Sequence, residues 1–312
     1  MKSQKEVSYA KTLIVITGPT AVGKTQLTIE LARHYGVPII NADSRQIYRE
    51  LKIGTASPTA RQLAMAEHLF VGIKAIDEYY NASMFENEVL EYLEHHFANG
   101  NTLALMSGGS MMYIDAVCNG IDDIPTIRDD IRTEMKQRLE QEGLEALCEE
   151  LRLLDPEHYE VVDRKNTRRV VHALEICHQT GTTYTSFRKQ QKRERPFRII
   201  KLGLNRPREE LYARINARVD EMMSQGLLDE ARRLYPLREL NALNTVGYKE
   251  LFQYMDGIWP LEEAIERIKG NTRRYARKQL TWFKRDKEVH WFHPDEQEKI
   301  LKYISSHEED IS

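Results

Sequence analysis

The chain has little cysteine. Cys118, Cys148 and Cys177 are the only three in 312 residues; they are scattered and form no C-x-x-C pair. This excludes a disulfide framework and a thiolate zinc site, and it fits a reducing cytoplasm. Long apolar runs are also missing, since no stretch approaches the ~20 residues of a membrane span. The opening MKSQKEVSYAK has no apolar h-region, so no secretion signal is expected. No internal repeat or long low-complexity tract stands out. Nor does one sign of charge dominate: 45 Lys and Arg face 48 Asp and Glu, a net charge of −3 that argues against a generic nucleic-acid binder. The rest is an ordinary soluble composition, 41% hydrophobic and 30% charged, with room for one large or two modest domains.

The charge is unevenly spread. Arg188 to Arg198 holds six basic residues and one acid, Glu194. Arg267 to Lys287 holds nine basic residues and one acid, Asp286. Two such segments on a slightly acidic chain mark a localised polyanion site, with a solvated helix face as the plainer reading of either alone.

The sharpest motif is Gly18-Pro19-Thr20-Ala21-Val22-Gly23-Lys24-Thr25, directly after the apolar run Leu13–Ile16. It matches G-x-x-x-x-G-K-[ST] between a buried strand and an amphipathic helix carrying Leu27, Ile29, Leu31 and Ala32. The glycines let backbone N–H groups turn toward a phosphate, and the helix N-terminus adds positive partial charge. Lys24 reaches the outer phosphate and the Thr25 hydroxyl is the expected Mg²⁺ ligand. A bare Gly-rich turn would not explain the lysine after the second glycine.

Strand-like runs at Leu13–Thr17, Pro38–Asn41, His68–Gly72 and Thr102–Met106 alternate with helical patterns such as Ser83–Phe97. Such alternation predicts an α/β fold: a P-loop NTPase-like parallel sheet flanked by helices, with ligands at the carboxyl ends of the strands. From about Asp122 the texture turns helical through Cys177, with Asp155-Pro156 as a break and Gly181 as a stop. Thr180–Pro196 is polar and basic and reads as an arm or loop. Phe197–Leu204 returns to strand, followed by a long helix over Arg208–Leu234, further helices to Lys287 and a short strand at Val289–Phe292. The expected domains are therefore an α/β core over 1–120 and 198–312, and a helical insertion over 121–197.

Asp43 follows the second strand in Asn41-Ala42-Asp43-Ser44-Arg45-Gln46-Ile47-Tyr48. A carboxylate there can help hold Mg²⁺ through water, act as a general base, or simply cap a helix. Ser107-Gly108-Gly109-Ser110 ends the fourth strand, where Ser110 either caps the next helix or touches substrate. Arg214 and Arg218 share a helix face and suit a grip on diphosphate or a nucleic-acid backbone, with surface salt bridges to Asp220 and Glu221 as the alternative. In Asn271–Arg285 cations interleave with aromatics; Arg273 and Arg277 fit phosphate contacts, whereas Leu280, Trp282 and Phe283 fit core packing.

GPTAVGKT, NADSRQIY, GTASPTA, SGGSMMY, RKNTRRVVHALEI, LNTVGYKEL and NTRRYARKQLTWFKRD occur in that order. Together they strongly resemble the tRNA dimethylallyltransferases, also called tRNA isopentenyltransferases, from about Thr12 to Arg285. The resemblance implies transfer of a dimethylallyl group from dimethylallyl diphosphate to the exocyclic amine of the tRNA adenosine 3′-adjacent to the anticodon. The phosphate loop, Gly18 to Thr25, would then hold the prenyl diphosphate rather than a nucleotide. Lys24, Thr25 with Mg²⁺, and Arg218 would stabilise the leaving group, Thr20 would lie by the reacting centre, and Asp43 would take the proton. The resemblance also implies tRNA contacts at Asp43, Ser44, Arg45, Gln46 and Ser110, at Arg168, Arg169, Val170, Val171 and His172, and at Gly247, Tyr248, Arg273 and Arg277. The helical insertion would clamp the anticodon stem. Ser57 and His172 depart from the family pattern, where lysine and arginine are common. The compact bacterial form, without the C-terminal zinc finger of longer eukaryotic relatives, is expected from the resemblance. A cytoplasmic monomer with no membrane contact and no obligate protein partner is expected. Two alternatives keep the phosphate loop: a cytokinin-type adenylate isopentenyltransferase, which would need neither the insertion nor the basic helix, and a P-loop kinase or nucleic-acid-stimulated ATPase. A non-catalytic tRNA-binding protein would not need Lys24, Thr25 and Asp43 together.

Overall fold

The apolar run that opens the chain becomes β1 (Thr12–Thr17), buried at all six positions. A strand with no polar face must be covered on both sides, as in the interior of a parallel sheet. A computed structural model describes residues 11–122, 124–188 and 192–309. In it β1 is followed by α1 (Lys24–Tyr35), β2 (Ile39–Ala42), α2 (Ala60–Met65), β3 (His68–Leu69), α3 (Ala82–Ala98), β4 (Leu103–Gly108) and α4 (Met111–Asn119). A helical stretch follows: α5 (Asp129–Leu154), α6 (Pro156–Val161), α7 (Thr167–Thr180) and α8 (Tyr184–Phe187). The chain then returns through β5 (Arg198–Leu204), α9 (Arg208–Ser224), α10 (Leu227–Leu234), α11 (Tyr248–Met255), α12 (Leu261–Phe283), β6 (Val289–Phe292) and α13 (Gln297–Glu309).

The six strands form one sheet in the order β3-β2-β4-β1-β5-β6, and every pairing is parallel. Side chains alternate along β1. Leu13 and Val15 enter one core with Ile40, Met106, Phe85 and Leu251, while Ile14 and Ile16 enter another with Leu27, Leu31, Leu202 and Ile215. Each such side chain, fully removed from water, contributes ~1.5–3 kcal/mol. Helix α12 serves both cores, giving Ile268 and Phe283 to the first and Ala276 to the second. The parallel arrangement sends the loops after β1, β2 and β4 to a single edge.

The chain divides into two compact units, 1–119 with 194–312, and 120–193. The second has its own core, in which Met135, Leu147, Leu151, Val170 and Leu174 are buried. Asp155, 1% exposed, explains the break there: its carboxylate accepts from His158 N at the start of α6 and from Thr185 N and Oγ1. The unit ends at 193, short of the expected 197, because Arg195 is tied to the core. Its guanidinium donates to the Ala116 and Val117 carbonyls and to buried Glu86.

The single helix expected over Arg208–Leu234 is two, because Gly226 takes φ 97° and ends the first. The arm expected over Thr180–Pro196 contains α8, which Thr183 caps by accepting from Ser186 N; residues 189–191 of that arm lie outside the described residues. The N-terminal segment read for a secretion signal lies outside them for residues 1–10. Trp282 and Phe283 pack in the core, as their spacing suggested.

Candidate active site

The phosphate loop leaves β1 in a conformation that most residues avoid. Gly18 and Gly23 sit at φ 146° and 117°, and Ala21 takes φ 62°. For a residue with a Cβ that region costs roughly 1–2 kcal/mol, so the loop must be held by its surroundings. Three long side chains hold it. Gln279 Oε1 accepts from Thr20 N at 2.9 Å, Arg214 Nε donates to Ala21 O at 2.9 Å, and Arg206 Nε donates to Val22 O at 2.8 Å. Arg206 is itself fixed by Glu210 and by Asp295 at 2.8 Å. Arg214 therefore braces the loop through Nε, and among the described residues it forms no surface pair with Asp220 or Glu221.

Gly23 caps α1 without a side-chain hydrogen bond, so among the described residues no side chain caps the first N–H groups of the helix, which face outward as an anion site requires. Lys24 Nζ curls back on the loop, donating to Gly18 O at 2.9 Å and Pro19 O at 2.8 Å. Loss of hydration there, and then the Arg218 charge, lower its pKa to about 7, against the pull of Asp43. Burial likewise lowers Arg218, again opposed by Asp43. Arg218 Nη1 reaches Thr20 Oγ1 at 3.5 Å. Thr20, Lys24, Arg218 and Asp43 thus form one electrostatic cluster.

Asp43 is held in a turn after β2. Its Oδ1 accepts from Arg45 N at 2.9 Å and Gln46 N at 3.3 Å, while nothing among the described residues donates to Oδ2. The helix cap expected as one reading of Asp43 is a turn instead, since no helix begins there; one oxygen shapes that turn and the other has no donor among the described residues. Ser110 Oγ accepts from Ser44 N at 2.8 Å and donates to Ser44 Oγ at 3.1 Å, joining the turn after β4 to the one after β2. Gln46 spends its amide on Thr55 O and Ala56 O, so it shapes the 55–56 loop. Arg45 is partly exposed.

Thr25 is exposed in the first turn of α1, and its hydroxyl has no protein partner among the described residues. No group of three or more His, Cys, Asp or Glu that could hold a metal occurs among them. A Mg²⁺ here would need the oxygens of a bound diphosphate as well as Thr25, which suits an ion that enters with its phosphates.

On α12, Arg277 is exposed and donates to Tyr212 Oη at 2.9 Å. Arg273 is partly exposed, donates to Asn216 Oδ1 at 2.6 Å and stacks over the Tyr212 ring. Two expected RNA contacts in this unit are internal instead. Tyr248 is fully buried, its hydroxyl donating to Glu230 at 2.6 Å and its ring packed under Gly54. Gly247 is buried too, its N–H capped by Glu250 Oε2 at 2.8 Å. In the helical unit, Arg168 and Arg169 are exposed on α7. Val170 is fully buried and belongs to that unit's core, and Val171 packs against it. His172 is half-exposed, its Nδ1 3.3 Å from Glu175 Oε2.

Sequence reasoning missed Gln279, Arg206 and Glu230 as functional supports. Gln279 carried a signal: it lies between Ala276 and Phe283 on the buried stripe of α12, where an apolar residue is the rule. Arg206 and Glu230 carried none, because the loop groups they hold, Val22 O and the Lys52, Ile53 and Gly54 N–H groups, are backbone atoms far away in the chain.

Comparison with known proteins agrees with this geometry. A family model described as IPP transferase matches residues 46–286. A tRNA dimethylallyltransferase 1 of Phocaeicola vulgatus is 61% identical over 295 residues, covering 95% of this chain and 98% of its own. The crystal structure of the full-length tRNA isopentenylpyrophosphate transferase of Bacillus halodurans superposes with a TM-score of 0.71 at 34% identity, covering 96% of this chain and 98% of that one. A eukaryotic dimethylallyltransferase acting on tRNA gives a TM-score of 0.74 at 29% identity, over 88% and 70% of the two chains. With its parallel sheet, its phosphate loop and these relatives spanning nearly its whole length, the chain belongs to the tRNA dimethylallyltransferase family.

Proposed function

We propose that this protein transfers a dimethylallyl group from dimethylallyl diphosphate to the exocyclic amine of the adenosine 3′-adjacent to the anticodon in tRNA. The observation that carries the reading is the cluster of Thr20, Lys24, Arg218 and Asp43: cations and a phosphate loop on one side, a carboxylate with a free oxygen on the other.

In the reaction the allylic C–O bond of the donor breaks and the new bond forms from carbon to the adenine nitrogen. The electron pair leaves with the diphosphate. The N–H groups at the start of α1, Lys24 and Arg218 are fixed before the charge develops, so they stabilise it without reorganisation. Thr25, with the phosphate oxygens, would hold Mg²⁺, which would neutralise part of the diphosphate charge. The neutral amine is a weak nucleophile and loses a proton as it reacts; Asp43 Oδ2 accepts it. Backbone donors hold Oδ1, so the free oxygen has a fixed direction.

The target base must leave the anticodon-loop stack to reach Asp43, at a cost smaller in a loop than in a duplex. Ser44, Arg45 and Ser110 line the Asp43 turn and meet the base and its neighbours. Arg273 and Arg277 contact tRNA phosphates, and the helical unit, through Arg168, Arg169 and His172, grips the anticodon stem. We place the reaction in the cytoplasm, with the enzyme acting as a monomer. Three free, buried cysteines suit a reducing compartment, and no described helix is long and apolar enough to cross a membrane.

The test is one incubation of purified protein and Mg²⁺ with unmodified tRNA and dimethylallyl diphosphate, followed by nucleoside digestion and mass spectrometry. A donor-dependent gain of one dimethylallyl unit on a tRNA adenosine is expected. Prenylated AMP with untouched tRNA would replace this reading with adenylate transfer. ATP turnover without prenylation would replace it with a phosphoryl-transfer or ATPase activity.

A further inference from the structure

We propose that Gln279 is a positioning residue that locks the phosphate loop to the Ser107–Ser110 turn and so fixes the diphosphate site relative to Asp43. The proposal deepens the prenyl-transfer reading above and rests on it for its transfer arm only.

Gln279 is 2% exposed. Its Oε1 accepts from Thr20 N at 2.9 Å and its Nε2 donates to Gly109 O at 2.8 Å. One side chain on α12 therefore ties together the loop after β1 and the turn after β4. The chain of contacts continues from the second of these. Ser110, next to Gly109, holds Ser44, next to Asp43. Thr20, Gln279, Gly109, Ser110, Ser44 and Asp43 make one continuous path from the diphosphate side of the site to the proton-accepting side.

Two features show that the site is built around this amide. The loop includes Ala21 at φ 62°, a conformation that needs outside restraint, and Gln279 restrains the residue immediately before it. Gly109 has no room for a side chain because of Gln279: an added Cβ would lie 2.5 Å from Nε2, with Lys24 Nζ the next polar atom at 3.7 Å. No positive φ is required at Gly109, so the amide itself sets the requirement for glycine there.

A residue that positions two halves of a site affects chemistry more than binding, because a displacement of about 1 Å between reacting groups can cost ~10²-fold in rate. Gln279→Ala is expected to lower kcat for transfer by ~10–100-fold, with a smaller rise in KM for dimethylallyl diphosphate. Mg²⁺–pyrophosphate affinity, measured by calorimetry without tRNA, should weaken measurably, by about 3–10-fold and no more, because the loop loses its brace while the phosphate ligands themselves remain. Gly109→Ala should reproduce the defect in the wild-type background, since its Cβ displaces the amide, and should add nothing in the Gln279→Ala background. Circular dichroism and the melting midpoint establish that each variant is folded. Should Gln279→Ala fail to fold, Gly109→Ala alone carries the test through its pyrophosphate affinity. Wild-type kcat and affinity in folded Gln279→Ala would overturn the proposal. So would a Gly109→Ala defect of equal size in both backgrounds, or an unchanged affinity in Gly109→Ala where that variant stands alone. If the wild-type protein transfers no prenyl group, the prenyl-transfer reading falls while the pyrophosphate arm still decides the role of Gln279.

Discussion

If the phosphate loop holds a diphosphate as proposed, the lowered pKa of Lys24 should make its binding take up a proton. In the free site its ammonium donates to the Gly18 and Pro19 carbonyls, and lost hydration together with Arg218 lowers its pKa to about 7. At pH 8 only about a tenth of the molecules then carry the charge. A bound diphosphate supplies several negative charges, favours the ammonium and moves the group back toward its ordinary range. The sign follows: binding takes up a proton, and affinity falls as pH rises above 7. If the anion restores the ordinary lysine value, uptake at pH 8 is about 0.9 proton and Kd weakens about tenfold per pH unit above 7. Calorimetric titration of Mg²⁺–pyrophosphate at pH 8 in two buffers of different ionisation enthalpy measures the uptake, after subtracting protons bound by the ligand itself. Arg218→Gln removes the second cause of the shift, so it should raise the free-state pKa and reduce the uptake. Zero net uptake, or a Kd constant from pH 7 to 9 after the same correction, would refute the reasoning.

Asp43→Asn keeps an oxygen for Arg45 N and Gln46 N but cannot accept the amine proton; turnover should fall by ~10²–10⁴ with tRNA affinity unchanged, and normal turnover would remove Asp43 from the chemistry. Arg273→Ala with Arg277→Ala should weaken tRNA binding and reduce the slope of log K against log salt by about 1.4–1.8, whereas an unchanged slope would leave both arginines with their Tyr212 and Asn216 contacts as their only role. Glu230→Ala strands the Lys52, Ile53 and Gly54 N–H groups and the Tyr248 hydroxyl, and should cost roughly 3 kcal/mol or more of stability by thermal or denaturant unfolding. A midpoint equal to wild type would show that those donors find other partners.

The parts of this molecule that the sequence reveals are those set by neighbours in the chain. Leu13–Ile16 had to be a buried central strand because four successive apolar side chains leave it no wet face, and Gly18–Thr25 reads as a phosphate loop because its residue types act within eight positions. Asp43 was legible as far as its place after a strand and a capping role; that its capping oxygen would hold a turn and not a helix was not. Tyr248 shows the opposite failure. Its motif marked it out, but whether a tyrosine faces RNA or the interior depends on Glu230 and Gly54, which the fold alone brings beneath it. The braces of the phosphate loop were hidden for the same reason. Arg206, Arg214 and Gln279 each bond a loop backbone group, across 184, 193 and 259 residues of chain. A backbone carbonyl or N–H has no residue type, so no pattern of letters records the partner it will take. The polar residue on an otherwise buried stripe is the trace such a brace leaves. At Gln279 that trace was present, because burying an amide costs free energy unless both its ends are met. An unexplained buried amide on a helix is therefore a reason to look for the two backbone groups it joins.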